Sequence, residues 1–162
     1  MQISEGVPMI SFYRPAYEDM WFRQMMLSDE ATMSYNHSWG GTIPFPEEDW
    51  GKWFDYWIAD TEGKRFYRYI KDECDNIIGE AAYHYDEDLG IYLADVIILA
   101  KFRRKGYGGK ALDMLCSKAR ENGIKMLYDD IAADNPAIGM FLKHGFSEVS
   151  RNEKTIMLAK AL

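Results

Sequence analysis

Residues 102–112 read FRRKGYGGKAL: two arginines and a lysine stand directly in front of three glycines, and a helical pattern starts where they end. Just upstream, GIYLADVIIL (90–99) is apolar almost throughout, as a central strand covered on both faces should be. The order strand, basic glycine loop, helix has a physical meaning. The first N–H groups of a helix lack backbone partners, and their dipole favours negative charge. Gly106 and Gly108 let the backbone turn close to a ligand with no Cβ in the way. Consecutive N–H groups of residues 104–109 can therefore cradle a pyrophosphate, with Arg103, Arg104 and Lys105 adding charge at the entrance. The plainer alternative is a tight turn beneath a solvated run of charge.

Working outward, Ala111, Leu112, Leu115 and Ala119 make one helical stripe, and Gly123 is its expected stop. IKMLYDDIA (124–132) reads as a strand. Asp134-Asn135-Pro136 is a strong helix start, with Asn135 as cap and Pro136 where its missing N–H costs nothing. A short helix over 137–144 follows, Gly145 stops it, and FSEVSRN with KTIMLAKAL forms a terminal hairpin. On the N-terminal side, 7–13 reads as a first strand, 16–27 as a helix, 34–46 as a turn-rich aromatic stretch and 47–60 as a second helix. Residues 65–72 and 76–86 are strands joined as a hairpin through 73–76. Two helices, then strands, then two helices crossing between late strands predict an α+β, three-layer α/β/α architecture with a mixed sheet.

Composition narrows the function classes. At 162 residues the chain is expected to be one domain, 1–162, able to bury about 70% of its unfolded surface. A net charge of −7 disfavours nucleic acid and anionic membrane as partners, and the basic patch 101–105 is a local exception. No apolar run approaches the roughly 20 residues of a membrane span. MQISEGVPMI has neither the basic start nor the apolar core of a secretion signal. Cys74 and Cys116, outside any CxxC, suit a reducing cytoplasm, although one disulfide stays open. Three scattered histidines and no cysteine cluster make no metal site. Lys110 is followed by Ala111, so the loop is not a GxxxxGK[ST] phosphate loop. GYGGKA is not GxGxxG either.

Arg103-Arg104-Lys105-Gly106-Tyr107-Gly108 resembles the acetyl-CoA signature Arg/Gln-x-x-Gly-x-Gly/Ala of the GCN5-related N-acetyltransferase (GNAT) superfamily. IYLADVIILAKF (91–102) is similar to the bulged strand that leads into that loop, and ADNPAIGMFLKHGF (133–146) to the later Asn, helix, Gly-Phe segment. The likeness covers residues 76–160 well; the N-terminal half agrees only in the order of its elements. It implies an acyl-CoA N-acyltransferase fold with a splayed central sheet. Residues 76–162 would form the acetyl-CoA core, and 1–75 would shape the acceptor site. The implied activity is acetyl transfer from acetyl-CoA, as co-substrate and without metal, to a primary amine by direct attack in a ternary complex. A noncatalytic acyl-CoA-binding or regulatory domain on the same fold is the alternative.

The resemblance assigns the cofactor arm to the backbone of Val96, Ile97, Ile98 and Leu99, and the pyrophosphate to Arg103, Arg104, Lys105, Gly106, Tyr107, Gly108 and Gly109. It also places Asn135 and Phe141 beside that arm, and Asn135 is equally good as a helix cap. Phe141 is a departure, because relatives often carry a tyrosine there to protonate the CoA thiolate; Tyr107 and Tyr128 are substitutes to consider. Asp95 is the only charge within its strand, and a buried carboxylate is costly unless partnered. It is a candidate base or amine ligand, with Glu80 assisting; the alternative is a structural hydrogen-bonding aspartate. Tyr35, His37 and Trp39 are candidates for the acceptor pocket, which a homodimer partner could complete. His84 is a weaker candidate base. Trp50, Trp53 and Trp57 suit core packing as well as a pocket wall.

Overall fold

Seven strands form one mixed sheet in this computed structural model, which describes residues 8–162. Val7, where the first predicted strand begins, lies outside the described residues. The strands are β1 (Ser11–Tyr13), β2 (Arg65–Lys71), β3 (Ile77–Asp86), β4 (Ile91–Ile98), β5 (Met126–Ala132), β6 (Ser147–Arg151) and β7 (Thr155–Ala161). They run in the order β1-β2-β3-β4-β5-β7-β6, with β4 and β5 the parallel pair and the other neighbours antiparallel. Helices α1 (Met20–Ser28), α2 (Glu30–Met33) and α3 (Glu47–Phe54) lie on one side, and α4 (Tyr107–Glu121) and α5 (Ile138–Lys143) on the other. This is the three-layer α/β/α arrangement the sequence predicts.

Each layer is held by the stripe that defines its helix. Ala111, Leu112, Leu115 and Ala119 of α4 are fully buried against Ile78, Ala81, Tyr83 and Ala94 of the sheet. On the opposite face Met20, Phe22, Met26 and Leu27 of α1 pack onto Tyr67, Tyr69, Ala82 and Ile97. Burying each large side chain is worth about 1.5–3 kcal/mol.

Local chemistry moves several boundaries. The predicted helix at 16–27 starts as a single 3-10 turn, Tyr17–Asp19. There the Asp19 carboxylate accepts the Tyr13 hydroxyl at 2.6 Å and the Ala16 N–H at 2.9 Å. The predicted helix at 47–60 is α-helical to Phe54 and closes in a π turn, Asp55–Ala59. The turn-rich stretch holds a 3-10 turn, Ser34–Trp39, and α2 is an additional short helix.

Two irregularities of the sheet position the site. First, β4 and β5 pair only at Tyr92–Leu127 and Leu93–Tyr128, then diverge. Among the described residues Ala94–Ile98 therefore has no strand on that side, while β5 pairs with β7 along its whole length. The sheet is splayed. Second, Ile70 pairs with Gly79 but Lys71 pairs with Ile77, so Ile78 is an extra, bulged residue in β3. Beyond the bulge the alternation reverses: Ile78 packs into the α4 layer, whereas Ala82, and Glu80 with it, face the α1–α3 layer.

Candidate active site

The floor of the gap is a diagonal row across three strands. Ala82 pairs with Tyr67 on one side and Asp95 on the other. Glu80, two residues along the same face, pairs with Tyr69 and Ile97. Because Ala82 is small, the Tyr67 hydroxyl reaches past it and donates a hydrogen bond to Glu80. Glu80 is only 2% exposed, and it has a cation beside it. Arg23 of α1 holds its Nε 3.7 Å from Glu80 Oε2. The guanidinium rests in the corner of two aromatic rings that meet edge-on, 4.5 Å from the Phe45 centroid and 4.2 Å from that of Trp53. Trp53 in turn meets Tyr67 edge-on, with centroids 4.6 Å apart.

Asp95 sits at the open end of this row. Its side chain is reached by water through the gap, while protein encloses it on the remaining sides. That enclosure raises its pKa above the ordinary carboxylate range. The charge of Glu80 and a hydrogen bond with it add to the rise, Arg23 opposes it, and water at the open side screens part of the effect. Across the gap, burial and the charge of Asp95 push the Asp129 carboxyl well up. Tyr35 comes in from the 3-10 turn. Burial first, and then the charges of Asp95 and Glu80, push its phenol far up, so it remains a protonated donor. The gap thus gathers three carboxyl groups and a tyrosine hydroxyl. Among the described residues no group of three or more His, Cys, Asp or Glu side chains is placed to hold a metal ion.

The glycine loop stands at the other end of the gap. Lys110 makes the first α4 hydrogen bond, its N–H donating to the Gly106 carbonyl at 3.2 Å. Among the described residues, the N–H groups of 104–109 have no acceptor. Gly106 caps the helix at φ +84°, and Arg104 adopts φ +64°, a conformation non-glycine residues rarely hold. Such left-handed residues turn successive N–H groups toward one concavity, the geometry of an anion nest. The three glycines have separate reasons. A Cβ on Gly108 would meet Met140 Sδ at 3.1 Å, and one on Gly109 would stand 2.4 Å from His144 Nε2. His144 is fixed there by Asp113, Nδ1 to Oδ1 at 2.8 Å.

Other sequence candidates fall in distinct places. Arg103 is committed elsewhere: its guanidinium donates to the carbonyls of Ile98 at 3.0 Å, Thr32 at 2.6 Å and Ala31 at 3.4 Å. Arg104 and Lys105 are exposed at the loop. Tyr107 is buried, and its hydroxyl donates to Glu73. Val96 lines the unpaired stretch of β4, while Ile97, Ile98 and Leu99 bury their side chains and could offer only backbone. The Asn135 side chain accepts the Ala137 N–H at 2.8 Å, but as a turn ahead of α5: the N-cap of that helix is Ala137, so the helix start expected at Asn135-Pro136 moves to Ile138. Phe141 is buried edge-on against Phe146, centroids 5.3 Å apart. Tyr128 is half-buried where β5 leaves β4. His37 Nε2 lies 3.0 Å from Asp134 Oδ2, tying the 3-10 turn to the segment after β5. Trp39 is exposed at this rim. His84 sits 5.5 Å from the Trp57 ring, where burial lowers its pKa.

Arg23, Tyr67 and Asp129 were not among the sequence candidates. Arg23 and Tyr67 sit in amphipathic patterns that read as ordinary helix and strand. Asp129 alone carried a signal, a charge between the apolar Leu127 and Ile131 of a predicted strand.

The Acetyltransferase (GNAT) family model matches residues 15–146, and the chain belongs to that family. A search of curated protein sequences returns no match. Among solved structures, spermidine N-acetyltransferase from Vibrio cholerae, in complex with CoA and spermine, superposes with a TM-score of 0.78. It is 14% identical, with 94% of this chain and 95% of that one covered. The Microcin C7 self-immunity acetyltransferase MccE, in complex with acetyl-CoA and AMP, reaches 0.73 at 16% identity over 94% and 92%. An acetyltransferase of the GNAT family from Bacillus anthracis reaches 0.72 at 15% over 94% of each chain. At these identities the likeness concerns the fold.

Proposed function

We propose that this acetyltransferase moves an acetyl group from acetyl-CoA to a primary amine by direct attack, with Asp95 receiving the proton that the ammonium must lose. One observation carries the reading: Asp95, backed by buried Glu80, lies in the gap beside the unpaired stretch of β4. The pyrophosphate of the donor fits the unpaired N–H groups of 104–109, and its peptide-like arm fits the free edge of β4 near Val96. The complexes of similar folds with CoA and acetyl-CoA support that donor.

The chain's own groups then supply the steps. Asp95 and Tyr35 orient the incoming ammonium, and Asp95 takes one proton from it. The freed nitrogen lone pair attacks the thioester carbonyl carbon, a C–N bond forms and the C–S bond breaks. The nitrogen gives up its second proton and the CoA thiolate takes one up. A base whose pKa has been raised toward neutrality is better matched to an ammonium than an ordinary carboxylate. Phe141 supplies no acid. Tyr35 is the phenol that the fold brings to the gap, but its raised pKa suits it to holding an oxyanion by hydrogen bond rather than giving up its proton. The two thiols are free, Cys74 exposed and Cys116 buried, which supports placing the protein in the cytoplasm.

The experiment is a mass-detected screen of acetyl-CoA against diamines, amino sugars, amino acids and peptides, followed by Asp95→Asn on each hit. Acetylated amine is expected, with kcat falling about 10²–10⁴-fold in the variant and its acid limb lost. Transfer only to hydroxyl acceptors overturns the amine assignment. Tight acetyl-CoA binding with no turnover on any amine favours the noncatalytic alternative, for which the enclosed Phe141 is the specific observation.

A further inference from the structure

Arg23 is engaged in an unusual way. Its guanidinium rests against the faces of Phe45 and Trp53, which meet edge-on, yet among the described residues its buried Nε has no hydrogen-bond partner. Among the described residues, the head group meets the two rings and the Glu80 carboxylate 3.7 Å away. A cation held over two aromatic faces keeps its position without spending its charge on a hydrogen bond. Its field therefore acts on Glu80, which is sealed from water and joined to Asp95.

We propose that Arg23 is a positioning residue that fixes which member of the carboxyl pair carries charge: seated in the corner of the Phe45 and Trp53 rings, it holds Glu80 as the buried anion and leaves Asp95, at the open end, as the member that exchanges the proton. This rests on the reading of Asp95 as the base. The role follows from the layout. Glu80 has a cation on one side and accepts a hydrogen bond from the Tyr67 hydroxyl. Asp95 has neither as a direct partner, and it faces Glu80 from β3, Asp129 from β5 and Tyr35 from the 3-10 turn. Arg103 also feels Tyr35, but its head group is held by backbone carbonyls and is not available to the pair. Arg23 is thus the cation that biases the pair.

Two substitutions should move the titration of Asp95 in opposite directions. Arg23→Met keeps an apolar stem against the rings and deletes the charge. The pair then holds its last proton more tightly, and the titration rises by about one pH unit or more. Glu80→Gln deletes the anion behind Asp95 and lowers its titration by a similar amount. The measurement is a carbon NMR titration of aspartate-labelled protein, with Asp95 assigned by its absence in Asp95→Asn, run beside pH–rate profiles on any amine acceptor. Opposite shifts, with Arg23→Lys returning part of the first, are expected. An Asp95 titration unmoved by Arg23→Met overturns the proposal even if transfer is robust. Shifted titrations in a protein that acetylates no amine leave the positioning role standing and remove Asp95 as base. If Arg23→Met does not fold, Trp53→Leu loosens the same seat and should raise the titration by a smaller amount; no movement there overturns the proposal equally.

Discussion

Arg103 and Thr32 show how single side chains join α2 to the end of β4 and the glycine loop. Arg103 gives three hydrogen bonds to backbone carbonyls, two of them in α2. Thr32, fully buried, donates to Asp29 at 2.5 Å and accepts the Ala100 N–H at 3.0 Å. Thr32→Val should leave that N–H unsatisfied and cost about 1–3 kcal/mol. Arg103→Ala should cost roughly 2 kcal/mol, since its bonds are charge-assisted but the side chain is half solvated. Acetyl-CoA affinity, measured by calorimetry well below the melting temperature, should change little in Arg103→Ala, because that guanidinium points to α2. A large loss of affinity with unchanged stability would reassign Arg103 to the phosphate. Gly106→Ala should behave oppositely. At φ +84° a side chain costs about 1–2 kcal/mol, and relaxing that angle rotates the N–H groups of the nest. Its affinity for acetyl-CoA should fall about tenfold or more, one lost charge-assisted bond being worth at least that. Unchanged affinity would place the anion elsewhere.

At the scale of elements, the gap between β4 and β5 and the N-terminus of α4 are a single design. β4 delivers the chain from the floor of the gap into the loop, and α4 packs back across the same sheet. α5 completes it, seated on α4 through Gly109 and His144. Gly109→Ala should drive His144 from its place, break the bond to Asp113 and loosen α5. Stability should drop by about 1–3 kcal/mol, as for an overpacked contact. Acetyl-CoA affinity should fall less than in Gly106→Ala, and hydrogen exchange should rise first over 138–146. Protection lost uniformly along the chain would argue against this local seat.

Much of this was legible in the sequence for a physical reason. An apolar strand, a basic glycine run and a helical stripe in that order leave few alternatives, and Asp95 stands out as a lone charge in buried surroundings. The acidic row behind it was only half visible. Glu80 faces the α1–α3 layer because of the bulge at Ile78; strict alternation from Ile78 would have sent it toward α4. A one-residue bulge leaves no mark in composition. Arg23 was hidden differently, because its partners come from two distant stretches, Phe45 and Trp53 from one and Glu80 from another. Only tertiary packing brings them together. Arg103 matched a signature position, yet the local sequence does not reveal that α2 offers it carbonyls.

For the whole molecule, the carboxyl groups in the gap tie function to stability through pH. Asp95 and Asp129 both have folded pKa values raised, first by burial and then by negative neighbours. Below the unfolded value of about 3.9 both states hold these protons, and the groups are neutral toward folding. As pH rises from there, the unfolded chain releases the protons and the folded one keeps them, so stability is lost progressively until the raised folded values are passed. Asparagine mimics the protonated form and does not titrate. Asp95→Asn, Asp129→Asn and the double variant should therefore approach wild-type stability as pH falls to about 4. Above that pH they should become increasingly more stable than wild type, the double variant most of all. His84 acts at the other end, because burial lowers its pKa and its contribution is lost as pH falls below about 6.5. It is common to all four proteins and cancels in their differences. Urea unfolding at one-unit steps from pH 5 to 8 reads the effect directly. Curves that diverge with rising pH, while acetyl transfer is lost in Asp95→Asn, would mark a site that gives up stability to keep a base at working pH. Parallel curves would show that water reaching the gap already screens these carboxyls, leaving the base with an ordinary pKa.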